Sequence, residues 1–219
     1  MFYKEEKKIV KETIRKDKRG NPCWYCTGVA YVGVTEDSLK CYLFVHIRKE
    51  KVMRTSKVER NTKETQIVCE LNLDGTGTAK VDTGVGFLDH MLNSFARHGF
   101  FDLTLSVKGD LYVDCHHTIE DTGIVLGQAI KEAVGNKEGI KRYGSSLLPM
   151  DETLVLCAID LSGRPYLNFD MTFTAERVGY YDTEMVKEFF YAVSYAAGMN
   201  LHMKQMDGSN NHHLIEAAY

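Results

Sequence analysis

Nowhere among its 219 residues does this sequence hold eighteen consecutive apolar positions, so it offers no membrane-spanning helix. Charge of one sign is also missing. Twenty-seven Lys and Arg face thirty Asp and Glu, a net −3, which gives no electrostatic case for nucleic acid or an anionic membrane as partner. The opening Met1–Lys8 lacks the apolar core of a signal peptide. Cysteine is present but unpatterned. Cys23 and Cys26 form one CxxC, no second follows to complete a tetrahedral zinc site, and no thioredoxin-like context surrounds it. Cys41, Cys69, Cys115 and Cys157 sit singly in apolar or strand-like runs and read as reduced, partly buried thiols of a reducing compartment. A cytoplasmic protein is expected. The glycine-rich 74–77 segment is not followed directly by a helix, which favours a turn over a phosphate cradle.

What is present divides the chain into three. Residues 1–53 carry eight Lys/Arg against four Asp/Glu in the first twenty, with Ile9, Val10 and Ile14 at helical spacing. A solvated basic helix is expected there, then strands near Val29–Val34 and Cys41–Ile47, and no chemistry; His46 reads as a packed strand residue. From Arg54 the pattern alternates. Gln66–Leu73 reads as a strand, 74–77 as a hairpin turn into a strand near Thr78–Val81, and Phe87–Arg97 as a helix stopped by Gly99. Phe101–Val107 is strand-like and Thr122–Ala133 helical. The second half repeats the order, with strands at Thr153–Asp160, Tyr166–Phe173 and Asn200–Met206 and a helix over Thr183–Tyr195. The aromatic and Met residues between Phe189 and Met199 read as core. These repeats predict an internally duplicated α+β fold, with halves at 54–141 and 142–219, each a small sheet with two helices on one face.

The chemistry concentrates in two copies of one pattern, His116-His117-Thr118-Ile119-Glu120 and His212-His213-Leu214-Ile215-Glu216. Eight histidines placed at random over this length would give fewer than one adjacent pair. Imidazole and carboxylate are preferred ligands of divalent first-row metals. On a helix the first His and the Glu of each motif stack at i and i+4, while the second His is turned by roughly 100°. Each motif is therefore suited to serving two metals. His90 precedes the first motif by 26 residues and Glu188 the second by 24, a ligand-type residue at the equivalent place in each half.

Taken together, Arg60–Thr65, Gly86–Leu92, Asp114–Asp121, Lys141–Gly144, Asp160–Pro165, Asn200–His202 and Asn211–Ala217 closely resemble the imidazoleglycerol-phosphate dehydratases of histidine biosynthesis, from Arg54 to Tyr219. The resemblance implies a ribosomal protein S5 domain 2-like α+β fold, two manganese ions per active site, and a homo-oligomer of 24 subunits acting on a small phosphorylated imidazole. It implies metal ligands at His90, His116, His117, Glu120, Glu188, His212, His213 and Glu216. Glu64 would contact substrate and transfer a proton, Arg142 and Arg164 would hold the phosphate, and His98 lies in a substrate-contacting segment. His202 is expected to be structural. The implied reaction removes water from imidazole glycerol phosphate through a diazafulvene-like intermediate. The enol product then tautomerises to imidazole acetol phosphate.

The pattern departs from the family at the end. There a lysine follows the second motif, its helix continues, and a Ser-Thr-Lys-Gly segment helps to hold phosphate. Here Tyr219 stands three residues past Glu216, so the second half is expected to be truncated, its motif on a frayed single turn. The alternative reading is thus a truncated, non-catalytic metal-binding homologue. An unrelated dinuclear metallohydrolase is a further one, disfavoured by the arginines and by residues 54–65.

Overall fold

The computed structural model describes Met53–Tyr219 in full and, of the separate unit formed by residues 1–52, the backbone of five short strands. In that first unit β1 (Lys7–Ile9), β4 (Gly28–Gly33) and β5 (Tyr42–Ile47) form an antiparallel sheet, and β2 (Arg15–Lys16) pairs with β3 (Pro22–Cys23). The two expected strands are there. The expected basic helix is not, because Lys7–Ile9 and Arg15–Lys16 are strands. Lys4, Lys8, Lys7, Lys11 and Arg15 would have stacked like charges four apart on that helix, which opposes it. Val10, Ile14 and the side chains of Cys23, Cys26, Cys41 and His46 lie outside the described residues.

The second unit contains one topology twice. Its first sheet joins β6 (Thr55–Asn61), β7 (Thr65–Asn72), β8 (Ala79–Asp82) and β9 (Asp102–Gly109) in the order β6-β7-β9-β8. The second joins β10 (Tyr143–Met150), β11 (Thr153–Asp160), β12 (Tyr166–Asp170) and β15 (Asn200–Asp207) in the order β10-β11-β15-β12. In each sheet the last-formed strand inserts between the second and third and runs parallel to the third. Helices α1 (Gly86–Gly99) and α3 (Met185–Ala197) make those crossovers. Helices α2 (His116–Val134) and α4 (Asn211–Ala218) follow the inserted strands. This is the expected duplicated α+β architecture. No helix of the described residues is long and apolar enough to cross a membrane.

Several local expectations are corrected. The 74–77 segment does not close a hairpin, since β7 and β8 are separated by β9. The Asp102 carboxylate, at the start of that intruding strand, instead accepts the N–H groups of Thr76 and Thr78 at 2.8 and 3.1 Å. The strand expected over Tyr166–Phe173 ends at Asp170 and lies parallel to β15. Strands β6 and β10 were not legible: Thr55–Asn61 is highly charged, and Tyr143–Met150 carries Gly144, two serines and Pro149. Both are edge strands, where such residues are tolerated. A small hairpin, β13 (Arg177–Val178) with β14 (Tyr181–Asp182), also precedes α3. Helix α1 runs through Gly99, and Phe100 takes the left-handed φ of 55° that ends it.

Each sheet covers its helices on one face only, so the helices of both halves share one apolar layer between the sheets. Leu88, Met91, Leu92, Ile119, Val125, Phe189, Leu214 and Ile215 are buried there. Helices α2 and α3 approach so closely that a Cβ on Gly123 would stand 2.7 Å from Phe189 O, and one on Gly127 2.6 Å from Val193 O. The α4 helix is not frayed. Asn210 caps it through His212 N and His213 N at 3.0 and 3.4 Å, and Tyr219 stacks on Phe189 while its hydroxyl meets that of Tyr181 at 3.1 Å. A cavity of about 330 Å³ lies beside Phe95, Ile130, Cys157, Phe190 and Tyr219. Cys69, Cys115 and Cys157 are free thiols, as expected, and burial pushes Cys69 up to about 12.

The α2–α3 contact gives a prediction whose sign is informative. In an open helix Gly→Ala stabilises by about 1 kcal/mol. Gly127→Ala is instead expected to destabilise by about 1–3 kcal/mol through overpacking, read as a lowered denaturation midpoint in urea.

Candidate metal centre

Three predicted ligands converge. His90 sits in the second turn of α1, and His212 and Glu216 lie one turn apart on α4. Glu216 Oε2 is 3.6 Å from His90 Nε2 and 3.2 Å from His212 Nε2, and the three ligand atoms lie within 4.8 Å of one another. The group therefore joins the first half to the second. Its scaffold is local. Thr83 donates to Asp89 Oδ1 from its backbone N–H and its hydroxyl at 2.8 and 2.7 Å, which fixes the turn entering α1 one residue before His90. Phe87 then packs edge-on against His212, 5.0 Å between centroids, and against the fully buried Tyr181 at 5.4 Å.

The donor set fits a divalent ion. Ligand atoms about 2.1 Å from one ion stand about 3.0 Å apart at a right angle and about 3.4 Å at the tetrahedral angle. The spacings of Glu216 Oε2 to the two imidazole nitrogens, 3.2 and 3.6 Å, lie close to those values, and two imidazoles with one carboxylate suit first-row metals. Among the described residues no other group of three such side chains is this tight.

The first motif behaves differently. His116 Nε2 faces Glu120 Oε2 at 3.8 Å, with both side chains nearly half exposed. The paired rings stand edge to face as the helical offset requires, with interplanar angles of 81° for His116–His117 and for His212–His213. Each second histidine meets a carboxylate that the sequence did not point out. His117 Nδ1 lies 3.0 Å from Asp110 Oδ2, and His213 Nδ1 2.9 Å from Glu152 Oε2. These bonds raise the affinity of both imidazoles for protons, and the His213 contact, with the N–H of Asn210, holds the Glu152 carboxyl down to about 2. Glu188, on α3, is half-buried and joins no metal group among the described residues. Behind the first motif the buried Asp121 accepts from Thr65 Oγ1 at 2.5 Å and from Arg60 Nη2 at 2.8 Å, tying α2 to the β6–β7 turn that carries Glu64. Glu64 is exposed there, and its charge acts on His117.

The predicted anion-binding arginines gather elsewhere. Arg142 forks onto Asp160, Nε to Oδ1 at 2.6 Å and Nη2 to Oδ2 at 3.0 Å. The guanidinium of Arg142, with Arg164 and Lys137 contributing charge, holds the Asp160 carboxyl below its usual range. Lys137, which sequence reasoning missed, donates to Leu161 O at 2.8 Å. His98 is exposed in the last turn of α1, about 12 Å along the axis from His90 at 1.5 Å per residue. His202, on β15, is exposed and lies at a tilt 5.6 Å from the ring of Tyr166 on β12.

Comparison with known proteins follows the same lines. The imidazoleglycerol-phosphate dehydratase family profile matches residues 83–219. The chain is 74% identical over 166 residues to the imidazoleglycerol-phosphate dehydratase of Lachnoclostridium phytofermentans, covering 76% of this chain and 85% of that protein. It is 58% identical to that of Acetivibrio thermocellus over the same shares. Among solved structures it is similar to the imidazoleglycerol-phosphate dehydratase of Staphylococcus aureus, with TM-score 0.67 and 40% identity over 74% of this chain and 90% of that one. It is also similar to IGPD from Pyrococcus furiosus, with TM-score 0.65 and 36% identity over 74% and 86%.

Glu216 Oε2 faces the Nε2 atoms of both rings of the converged group. Replacing it, Glu216→Ala, is expected to weaken the binding of an added divalent ion on the order of 10-fold or more, measured with Mn²⁺ as the probe by electron paramagnetic resonance.

Proposed function

The chain belongs to the imidazoleglycerol-phosphate dehydratase family and is a hydro-lyase of that kind, and from that premise we propose that it converts D-erythro-imidazole glycerol phosphate to imidazole acetol phosphate in histidine biosynthesis, in the cytoplasm, with two manganese ions per site. The observation that carries the reading is the convergence of His90, His212 and Glu216 from helices of opposite halves. Two imidazoles and a carboxylate would hold one ion; His116, His117, Glu120, Glu188 and His213 supply the remaining ligand set. Bound there, a divalent ion acts as a Lewis acid, stabilising negative charge on the substrate ring by several kcal/mol.

The chain's own groups do the rest. Elimination breaks one C–H and one C–O bond, so a base must take the carbon-bound proton and an acid must deliver one to the departing hydroxide. Glu64 is suited to the proton transfer, being exposed beside the first motif, with no side-chain hydrogen bond among the described residues. The phosphate is suited to the cluster of Arg142, Arg164 and Lys137. Arg142 presents two N–H edges and commits one to Asp160, which orients the other for a bidentate contact.

Glu152 and His213 mark one end of β11, and Arg142 with Asp160 the other. Eight extended residues separate these ends by about 23 Å. A substrate of one ring, three carbons and a phosphate is far shorter. Catalysis therefore draws the metal ligands and the phosphate cluster from different copies of the chain, within a homo-oligomer of 24 subunits.

Two experiments test this. Purified with Mn²⁺, the protein should dehydrate imidazole glycerol phosphate, lose activity to a chelator and regain it on adding Mn²⁺; turnover by the metal-free protein sinks the metal-dependent reading. His212→Ala and Arg142→Ala variants, each inactive alone, should recover part of the activity when dissociated and reassembled together. Mixtures that stay inactive while pure wild type survives the same treatment would place both groups in one chain's site.

A further inference from the structure

In both motifs the second histidine uses its ring in the same sense. His117 Nδ1 meets Asp110 Oδ2 and His213 Nδ1 meets Glu152 Oε2, at 3.0 and 2.9 Å. An ionised carboxylate only accepts, so Nδ1 donates in each pair, and a neutral imidazole that donates from Nδ1 keeps its lone pair on Nε2. Among the described residues no hydrogen bond engages either Nε2. The acid nearest to His213 Nε2, Asp151 Oδ2, stands 3.9 Å away, beyond hydrogen-bond reach. His212, by contrast, turns Nε2 to Glu216.

We propose that Asp110 and Glu152 are positioning residues, one per motif, that hold His117 and His213 as Nδ1–H tautomers and thereby present Nε2 as the metal-ligating atom. The assignment rests on the metal-dependent reading above, and its force comes from where the two carboxylates stand. Asp110 follows β9, whereas Glu152 precedes β11. Duplication alone would have placed them at equivalent positions. The counterpart of Glu152 is Glu64: each immediately precedes a threonine, Thr153 or Thr65, that is buried to 1% exposure and opens its strand. Yet Glu64 forms no hydrogen bond with His117. Conversely, the residue after β15 is Gly208, which has no carboxylate to offer. Two halves of one fold have thus reached the same carboxylate–imidazole geometry from non-equivalent sites, the outcome expected when the ring orientation itself is required.

The Asp110 side chain adds weight. It is 12% exposed against 44% for His117, and its Oδ1 is buried with no hydrogen-bond partner. A carboxylate held so far from water at such cost has one described role, the bond to His117. A cation on Nε2 would strengthen that bond by making Nδ1–H a better donor. The arrangement also explains a division of labour. In the second half the glutamate before the strand is occupied in holding a ring; in the first, Asp110 does so and Glu64 is left available to substrate.

The test uses the whole chain, labelled with [¹⁵N]histidine. In metal-free protein above the histidine titration range, ¹⁵N NMR is expected to show Nδ1–H tautomers for His117 and His213. Asp110→Ala and Glu152→Ala should lose that signature at His117 and His213 respectively. Each should also bind Mn²⁺ about 10–100-fold more weakly. Asp110→Asn and Glu152→Gln, whose side-chain carbonyls still accept from Nδ1, should keep the tautomer and most of the affinity, which a merely structural role does not predict. Nε2–H tautomers in the wild type, or alanine variants that bind Mn²⁺ as tightly as wild type, would overturn the proposal. If the wild type binds no Mn²⁺ the metal-dependent reading fails on its own, and the tautomer signals still decide the orientation.

Discussion

Each four-stranded sheet here can bury only one face against two helices, and two such half-layers satisfy their apolar surfaces by sharing them. The contact that closes this shared layer is the backbone approach of α2 and α3 at Gly123 and Gly127, where any side chain would collide with Phe189 O or Val193 O. Once α2 and α3 are set against each other, α1 of the first half has α4 of the second as its neighbour. His90 then meets His212 and Glu216. The metal-ligand group follows from how the halves share their core, not from either half alone.

Duplication also explains the symmetry of the supporting parts and where it breaks. Both sheets insert their fourth-formed strand beside a parallel partner, both inserted strands lead into a His-His-x-x-Glu helix, and both second histidines are anchored through Nδ1. The halves part at the carboxylates. Glu152 and Glu64 hold the same place before their strands, but one grips an imidazole and the other faces outward. Divergence of this kind changes what one carboxylate does while the scaffold stays unchanged.

A second asymmetry concerns reach. The cationic cluster around Asp160 and the His213–Glu152 pair sit at opposite ends of β11. A single chain therefore keeps these two polar groups well apart. The first motif is likewise open, with the side chains of His116 and Glu120 facing solvent.

Much of this was legible without coordinates. The His-His-x-x-Glu motifs, their helical placement, the edge-to-face offset of adjacent rings and the repeated order of strands and helices all follow from local periodicity, which depends only on backbone geometry. Long-range pairing was not legible. The 74–77 turn looked like a hairpin because turn chemistry is local, whereas the strand that separates β7 from β8 arrives some thirty residues later. Edge strands β6 and β10 escaped notice because exposed strands need no apolar alternation. Asp110, Glu152 and Lys137 carry no spacing signal, since their partners lie across turns or on other elements. Residue types and their periods thus settled which chemistry the chain could offer. Tertiary packing decided which of those groups meet, because contacts between distant segments depend on how two sheets divide one buried layer.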